Sequence, residues 1–467
     1  MNPVYQIKFG TDGWRAIIAE AYTCDNLRRV TVATARWMQQ KGFKSIVIGH
    51  DCRFGGKMFL EEALKVFLHE GIYVYAAKNF VSTPMVSLGV RELKADLGIV
   101  ITASHNPPEY NGYKLKSAYG GPTPPDEIAE LESLIPDHYY MEDIRLDAES
   151  SKYQWVNLEE MYLTKIKSSF DLPRISNSTQ IAYDAMFGAG QNIMKTLFPV
   201  MKSFHCELNP GFNGTPPEPI AKNLTEITHF LNQNKGQYLG VAHDGDADRI
   251  AMMDTDGQMI DSHHLLLLLI RYLVEEKKLS GDIVISFSVT NKVKKLADHY
   301  GLKTHITKVG FKYIASLMMS GDVLVAGEES GGLAIKGHIP ERDGIWIALT
   351  ILEYVAMSGK SIRLLIEEIY ALIGEFVYDR LDLKLWPEQM QTIKSKLDSE
   401  IIKSWGPFKT KNYEDLDGYK YYFEHDNWLM FRMSGTEPVL RIYSQGRNIE
   451  ECKAILWEAQ NKLGLLA

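Results

Sequence analysis

Short apolar segments recur along this chain, and each leads directly into a loop of polar or charged residues. Four of these transitions end in the loops at Arg53, Ser104, Asp244 and Glu328. Segments with helical spacing, such as residues 25–40, alternate with the apolar runs. This alternation predicts βαβ units with a parallel sheet between helices. Because open α/β sheets bind ligands beyond the carboxyl ends of their strands, we expect these loops to carry the function.

Composition narrows the class of protein. The chain has 467 residues, of which 45% are hydrophobic, so sizeable cores are expected in about three or four domains. A net charge of −8 disfavours nucleic acid and acidic membranes as partners. The N-terminus lacks the pattern of a secretory signal, the four cysteines are far apart, and the longest apolar run, residues 265–270, is too short to cross a bilayer. We therefore expect a cytoplasmic protein with no membrane partner.

Three aspartates alternate along one loop: Asp244, Asp246 and Asp248. In an extended backbone their side chains point the same way. Two carboxylates ~4 Å apart repel by about 4 kcal/mol at an effective dielectric near 20, so the crowding predicts a cation, and oxygen ligands suit Mg²⁺. An EF-hand is excluded because Arg249 and Thr255 occupy its glycine and glutamate positions. Asp248 likewise stands where an aspartate-nucleophile phosphatase has Thr or Val. A solvated acidic turn is disfavoured by the apolar strands on both sides.

A serine follows another apolar run, in Thr102-Ala103-Ser104-His105-Asn106-Pro107. A residue just past a strand end can be a nucleophile, or a turn serine bonded to its own backbone. The Asn111-Gly112 pair that follows predicts a hairpin turn that brings Lys114 back towards Ser104.

Two further loops carry groups suited to a phosphorylated sugar. Glu328 and Ser330, in a glycine-rich loop, offer a carboxylate and a hydroxyl for vicinal sugar hydroxyls. The segment 432–438 joins Arg432 to hydroxyl and glycine residues, which suits a phosphate, although an ordinary turn is the alternative. The sequence around Lys57 departs from a P-loop, which argues against an ATP-dependent kinase.

The motifs TASHNP, DGDADR, GEESGG and RMSGTEP, in this order, resemble those of the α-D-phosphohexomutase superfamily, the phosphoglucomutase/phosphomannomutase group. The resemblance covers essentially the whole chain. It implies an α/β fold: three similar α/β domains and a smaller C-terminal α+β domain around one central active-site cleft. The expected domains are residues 1–150 with the phosphoserine loop, 151–255 with the metal loop, 256–373 with the sugar loop and 374–467 with the phosphate loop.

The resemblance also implies roles for individual residues. Ser104 would be the phosphorylated nucleophile and would bind one Mg²⁺ together with Asp244, Asp246 and Asp248. The other implied catalytic residues are His105, Lys114, Arg249 and His338. The implied substrate-binding residues are Arg15, Lys308, Glu328, Ser330, Arg432, Ser434, Gly435 and Thr436.

The sequence departs from the resembled pattern at two positions. Many bacterial relatives have histidine where this chain has Gly332, and phosphoglucomutases have lysine at the position of Arg342. Arginine stays protonated and is a poor base, so His338 is the predicted proton carrier.

The expected activity is the interconversion of hexose 1-phosphate and hexose 6-phosphate, with glucose preferred and mannose or a pentose phosphate left open. The reaction would pass through a hexose 1,6-bisphosphate, which would also act as an activator. The alternatives are a Mg²⁺-dependent sugar-phosphate phosphatase and a non-catalytic sugar-phosphate sensor. The chain would be a monomer or a homodimer.

Overall fold

The computed structural model describes residues 4–142, 144–146, 151–433 and 439–466. It contains two compact units. The first comprises the residues up to Asp282 together with Gly310–Arg363, and the second comprises Ile283–Val309 together with the residues from Leu364 onward. Within the described ranges, no single helix is long and apolar enough to cross a membrane. The pair Gly344–Ser358 and Ile362–Ile373 passes that test only when joined across a bend.

The first α/β segment forms a six-stranded sheet with helices between its strands. Its elements are β1 (Trp14–Ile17), α1 (Cys24–Lys41), β2 (Ser45–His50), α2 (Gly56–His69), β3 (Tyr73–Ala77), α3 (Thr83–Glu92), β4 (Leu97–Ile101), β5 (Tyr110–Ser117), α4 (Pro125–Ser133) and β6 (Tyr153–Val156). The strand order is β1-β5-β4-β2-β3-β6. The last four of these strands are parallel, while β5 is antiparallel to both of its neighbours.

The register of the central strands brings two polar loops together. β4 is buried along its whole length, as expected for a strand with both sheet faces covered. His50 at the end of β2 pairs with Ile101 at the end of β4. The loops that follow these two strands, which carry Arg53 and Ser104, therefore start side by side at one edge of the sheet.

The predicted Asn-Gly hairpin turn is wrong, because Asn111 and Gly112 lie inside β5. The chain does turn back after β4, but the turn is the Ser104 loop itself. A Cβ on Gly112 would collide with the carbonyl oxygen of Thr102 and lie 2.7 Å from that of Trp14. The glycine is therefore required for close approach between neighbouring strands and not for a turn conformation.

The second α/β segment has a mixed five-stranded sheet. Its elements are β7 (Gln180–Asp184), β8 (Lys202–Phe204), β9 (Tyr238–His243), β10 (Ile250–Met253) and β11 (Met259–Ile260), with helices α5 (Leu158–Ser169), α6 (Leu172–Ser178), α7 (Gln191–Leu197) and α8 (Thr225–Gln233). The strand order is β11-β10-β9-β7-β8. β9 is parallel to β7 and antiparallel to β10, so the loop with the three aspartates is the turn between β9 and β10.

The remaining chain begins with a third run of alternating helices and strands. In order these are α9 (Ser262–Glu275), β12 (Asp282–Ser286), α10 (Asn291–His299), β13 (Thr304–Thr307), α11 (Phe311–Ser320), β14 (Val323–Gly327), β15 (Leu333–Ile335), α12 (Gly344–Ser358) and α13 (Ile362–Ile373). In the first unit β14 and β15 are an antiparallel pair, and in the second unit β12 and β13 are a parallel pair.

The C-terminal part is an antiparallel sheet with two helices. Its elements are β16 (Val377–Lys384), α14 (Pro387–Ser399), β17 (Ser404–Trp405), β18 (Phe408–Lys409), β19 (Asn412–Glu414), β20 (Tyr419–Tyr422), β21 (Trp428–Met433), β22 (Val439–Gly446) and α15 (Ile449–Leu463). The strand order β16-β22-β21-β20-β19 is antiparallel throughout. The predicted α/β class with a smaller C-terminal α+β part is confirmed.

Gly112→Ala tests the close strand approach. We expect the free energy of unfolding to fall by about 1–3 kcal/mol, because a methyl group must displace strand backbone. Gly211→Ala is the matched control, since its φ of −90° suits alanine and its Cβ would have 3.5 Å to the nearest atom. Thermal unfolding of both variants checks the prediction, and equal midpoints for the two would contradict it.

Candidate active site

Ser104 lies in the turn between β4 and β5, just past the end of β4. Its φ is 53°, in the left-handed region that costs an L-residue about 1–2 kcal/mol. The Ser104 N–H donates to Thr102 Oγ1 at 2.9 Å, and the Thr102 hydroxyl donates to Asp51 Oδ2 at 2.5 Å. These bonds offset the strain and hold a buried serine hydroxyl in one orientation.

The Arg53 side chain holds the Ser104 turn through hydrogen bonds to its carbonyl groups. Its Nη2 donates to the carbonyl oxygens of Ser104 and Asn106, both at 2.6 Å, and its Nη1 donates to those of Pro107 (2.8 Å) and Tyr110 (3.1 Å). One buried guanidinium thus donates to four carbonyl groups of this buried turn. The sequence marked Arg53 only as the polar residue after a strand; the adjacency of β2 and β4 gives it this role.

The three aspartates of the metal loop converge on Ser104. They are fully buried, and one oxygen from each lies within 4.8 Å of the others. Asp244 Oδ2 accepts a hydrogen bond from the Ser104 hydroxyl at 2.8 Å. The Oδ1 atoms of Asp246 and Asp248 are buried and have no hydrogen-bond partner within the described ranges. Unsatisfied carboxylate oxygens within such a close cluster of aspartates fit an oxygen-ligated cation such as Mg²⁺.

Two buried cations, Lys114 and Arg342, pair with the aspartates of this cluster. Lys114 Nζ lies 2.7 Å from Asp246 Oδ2, 3.0 Å from Asp248 Oδ2 and 2.8 Å from Asp12 Oδ2. Arg342 Nη2 lies 2.8 Å from Asp248 Oδ2 and also contacts Asp12. Burial alone would lower the pKa of Lys114, but these three carboxylates outweigh it and raise the pKa. The Oδ2 atoms of Asp246 and Asp248 are thus paired with fixed cations, while their Oδ1 atoms are left to ligate a metal ion.

The aspartates respond differently to this environment. Burial, followed by repulsion from Asp246 and Asp248, raises the pKa of Asp244 well above its ordinary value, although its Oδ1 accepts from the Arg249 N–H at 3.0 Å. For Asp246, burial acts in the same direction, but Lys114 outweighs it and lowers the pKa. Asp244 therefore bears most of the repulsion that a divalent cation would relieve.

Two other predicted residues, His105 and Arg15, lie beside the serine or its turn. His105 Nδ1 lies 3.4 Å from Ser104 Oγ. Burial, followed by nearby cations of which Arg249 is the strongest, lowers the His105 pKa well below its ordinary value, so the imidazole is neutral at pH 7. Arg15 Nη1 donates to the Asn106 side chain in the same turn at 2.5 Å.

The predicted sugar loop follows β14 and abuts the metal loop. Glu328 is buried, its Oε1 accepts from the Gly310 N–H at 2.7 Å, and burial raises the pKa of its carboxyl to about 7. The Ile250 N–H, just after the metal loop, donates to the Gly331 carbonyl at 3.1 Å. Ser330 is half-buried in the same loop. The loop that carries Glu328 and Ser330 is therefore hydrogen-bonded to β10, the strand that follows the metal loop.

The space beside Gly332 is filled by the Arg342 side chain. A Cβ on Gly332 would collide with Arg342 Cδ and lie 3.0 Å from Cγ. The guanidinium carbon lies 5.4 Å from the Phe311 ring centroid, and the Arg342 N–H donates to Glu341 Oε1 at 3.0 Å. The Arg342 side chain occupies space that only glycine at position 332 leaves free. This packing is the physical reason for the departure at Gly332 seen in the sequence.

His338 is held by contacts of its own. Its Nε2 shares a hydrogen bond with Asp343 Oδ2 at 2.7 Å, and its ring stacks on Trp346 with 3.7 Å between centroids. Asp343 also accepts from the Tyr162 hydroxyl at 2.7 Å. The Nδ1 atom is buried and has no partner in the part of the chain that the structure describes. The role of His338 as proton carrier stays a prediction.

Two of the predicted substrate-binding cations, Lys308 and Arg432, lie in the second unit. Lys308 follows β13 and is exposed. Arg432 lies near the end of β21, and its Nε donates to Asp417 Oδ2 at 3.1 Å. Ser434, Gly435 and Thr436 lie outside the described residues.

Asp12 was missed by the sequence analysis. Its carboxylate contacts Lys114 and Arg342 directly, and Arg15 lies 4.0 Å away. Burial would raise the pKa of Asp12, but the surrounding cations outweigh it and hold the pKa well below its ordinary value. The available signal was its position in the glycine-containing loop 9–15, three residues before Arg15, which the resemblance implies is a substrate-binding residue.

Comparison with known proteins identifies the family. Models of three phosphoglucomutase/phosphomannomutase domains match this chain: alpha/beta/alpha domain I at residues 6–140, domain II at 160–257 and domain III at 261–373. The chain belongs to the phosphoglucomutase/phosphomannomutase family of the α-D-phosphohexomutase superfamily. It is therefore a phosphohexomutase, an isomerase that moves a phosphoryl group within a sugar phosphate. The family is Mg²⁺-dependent, in keeping with the three buried aspartates.

Individual relatives match nearly the whole chain. A phosphoglucomutase/phosphomannomutase from Thermococcus kodakarensis is 28% identical over 96% of both chains. A phosphoglucosamine mutase from Methanococcus maripaludis is 30% identical over 94% of both. The crystal structure of a protein assigned as a phosphomannomutase, from Thermus thermophilus, is 34% identical with a TM-score of 0.87, covering 99% of this chain and 100% of that one.

Asp244→Asn separates metal binding from fold stability. Because the change removes like-charge repulsion, we expect the metal-free variant to be at least as stable as the unmodified protein. Mg²⁺ at about 100 times its Kd should stabilise the unmodified protein by about 2.7 kcal/mol and leave the variant unchanged. Thermal unfolding with and without Mg²⁺ measures both effects.

Asp256→Asn is the matched control, since it removes an equally charged but exposed carboxylate from the same unit. It should respond to Mg²⁺ as the unmodified protein does. A full Mg²⁺ response in Asp244→Asn would refute the proposed ligand set.

Gly332→Ala and Arg342→Ala together test the packing of the arginine stem. Alone, Gly332→Ala should lower stability by about 1–3 kcal/mol through overpacking. Arg342→Ala should cost about 3–5 kcal/mol because it breaks a buried ion pair. In the double variant the alanine at 332 meets no stem, so we expect no loss beyond that of Arg342→Ala. Additive losses in denaturant unfolding would contradict this account.

Proposed function

We propose that this phosphohexomutase interconverts hexose 1-phosphate and hexose 6-phosphate through a phosphorylated Ser104, with glucose as the preferred sugar. The observation that carries the proposal is the convergence of the Ser104 hydroxyl on the three buried aspartates, with 2.8 Å between Ser104 Oγ and Asp244 Oδ2. A serine in a strained turn, aimed at a metal loop, suits phosphoryl transfer better than hydrolysis of an ester by a triad.

Phosphoryl transfer needs positioning and charge neutralisation more than covalent assistance. The bond between phosphorus and Ser104 Oγ breaks as a sugar hydroxyl forms its own bond to phosphorus, and His338 is the proposed acceptor of the hydroxyl proton. In this proposal Lys114, Arg15 and Arg249 neutralise the transferring group. When bound by Asp244, Asp246 and Asp248, Mg²⁺ supplies further charge neutralisation as a Lewis acid.

The bisphosphate formed in the first half must turn around before Ser104 is phosphorylated again. A sugar clamp for both orientations needs few, symmetric contacts. Glu328 and Ser330 are suited to this because a carboxylate and a hydroxyl can bind vicinal hydroxyls from either direction. We also infer that hexose 1,6-bisphosphate activates the protein by phosphorylating Ser104, since free hexose monophosphate cannot supply the first phosphoryl group.

The preference for glucose rests on the sugar loop, because GEESGG resembles the sugar loops of phosphoglucomutases more than the GEQSGH-like loop of phosphoglucosamine mutases. The full-length match to a phosphoglucosamine mutase nevertheless makes glucosamine phosphate the second candidate substrate.

Other features of the proposal follow from composition and resemblance. The net charge of −8 supports a cytoplasmic protein without nucleic-acid or membrane partners. The four-domain division at residues 1–150, 151–255, 256–373 and 374–467, and a monomeric or homodimeric state, remain part of the proposal.

A ³¹P NMR time course tests the function. Protein, Mg²⁺ and a trace of glucose 1,6-bisphosphate are mixed with glucose 1-phosphate, and parallel samples receive mannose 1-phosphate or glucosamine 1-phosphate. We expect the 6-phosphate signal to grow fastest from glucose, and to be lost in Ser104→Ala because no phosphoserine can form. Ser168→Ala, at an exposed serine of α5, is the matched control and should retain full activity.

The outcomes separate the alternatives. Growth of inorganic phosphate alone would mean a phosphatase, and a flat trace with every sugar would favour a sensor. Faster turnover of glucosamine 1-phosphate would overturn the preference for glucose. Unchanged turnover in His338→Gln would exclude this histidine as the proton carrier.

A further inference from the structure

Asp417 occupies a fixed position beside the predicted phosphate anchor. It precedes Gly418, whose φ is 116° and whose Cβ would collide with the carbonyl oxygen of Phe431. Only glycine permits this approach to β21. The tight approach sets the Asp417 carboxylate next to Arg432, the residue that follows Phe431 in the same strand.

One oxygen of Asp417 joins two segments of the second unit. Oδ2 accepts from Arg432 Nε at 3.1 Å and from the Val309 N–H at 2.8 Å. Val309 directly follows Lys308, and on the other side of Lys308 the Thr307 hydroxyl donates to the Lys308 carbonyl at 2.9 Å. The Asp417 carboxylate therefore fixes the backbone beside Lys308 and the direction of the Arg432 side chain.

We propose that Asp417 is a positioning residue that holds Lys308 and Arg432 in the arrangement that binds the non-reacting phosphate of the sugar phosphate. The inference rests on the proposed function. Lysine is a mobile point charge on a flexible stem, whereas arginine binds phosphate through a planar fork whose direction matters. Ordering both before the ligand arrives removes part of the entropic cost of binding.

The surroundings leave room for a ligand. Asp417 and Arg432 are among the residues that line a cavity of about 580 Å³ in the second unit, with Lys394, Asp398, Glu400 and Asp415. That volume lies within the usual range for small-molecule sites. Because several carboxylates line this cavity, a phosphate there needs cations held in a fixed direction, and Asp417 is paired with one of them, Arg432.

The test is the split between KM and kcat in Asp417→Ala. The phosphate contact is made away from the reacting group, so its loss weakens ground-state and transition-state binding alike. We expect KM for the sugar phosphate to rise at least about tenfold while kcat changes less than about twofold. Glu388→Ala, which removes an exposed carboxylate of α14 in the same unit, should leave both constants unchanged.

A double-variant comparison excludes a merely structural role. If Asp417 positions Lys308, then Lys308→Ala should raise KM strongly in the unmodified protein and much less when Asp417→Ala is also present. Asp417→Asn, which keeps an acceptor for Val309 but loses the charge paired with Arg432, should lie between. If Asp417→Ala does not fold, Asp417→Asn carries the same comparison.

The results distinguish this inference from the proposed function. An unmodified protein without mutase activity would refute the function. An active protein in which Asp417→Ala keeps a normal KM, or in which the Lys308 and Asp417 effects on KM multiply, would overturn the positioning role alone. A fall in kcat with unchanged KM would also overturn it, because it would place Asp417 in the chemical step.

Discussion

The repulsion among three buried carboxylates is the constraint on which the first unit depends. Asp244, Asp246 and Asp248 would not remain ionised together in a closed interior without opposite charge. The fold supplies part of that charge through Lys114 of β5, which pairs with Asp246 and Asp248, and part through Arg342. Both cations bond to Oδ2 atoms, so compensation is incomplete on the Oδ1 side. The folded protein thus keeps uncompensated negative charge at the position where a cation would bind.

The same logic explains the Ser104 turn. Ser104 lies in a turn and not in a strand, because β4 ends at Ile101. Arg53 donates four hydrogen bonds to carbonyl groups of this turn, and Asp51 fixes the turn through Thr102. Strain at φ 53° is therefore carried by neighbouring side chains from the end of β2, which lies beside β4 in the sheet.

The sequence predicted the parts of this site that lie within short motifs. Alternating aspartates indicate shared orientation, and an apolar run followed by polar residues indicates a strand end. The sequence did not indicate the roles of Asp12 and Arg53, because their partners are distant along the chain. Asp12 contacts Arg342, and Arg53 bonds to the turn that follows a different strand. Asn111-Gly112 was misread since a glycine needed for close strand approach has the same local sequence as a hairpin turn. Gly332 could be explained only when the Arg342 stem was seen beside it.

The groups around the reacting centre differ in how they respond to pH. Burial lowers the pKa of Arg15, and in Arg342 carboxylates led by Asp248 outweigh burial and raise the pKa, but both guanidinium groups stay charged near neutrality. Glu328 differs, because burial raises its pKa to about 7. Below that value its carboxyl binds a proton and loses acceptor capacity for a sugar hydroxyl; above it, the carboxylate is complete. Among these three groups, sensitivity to pH near neutrality is therefore confined to the carboxylate proposed to bind the sugar.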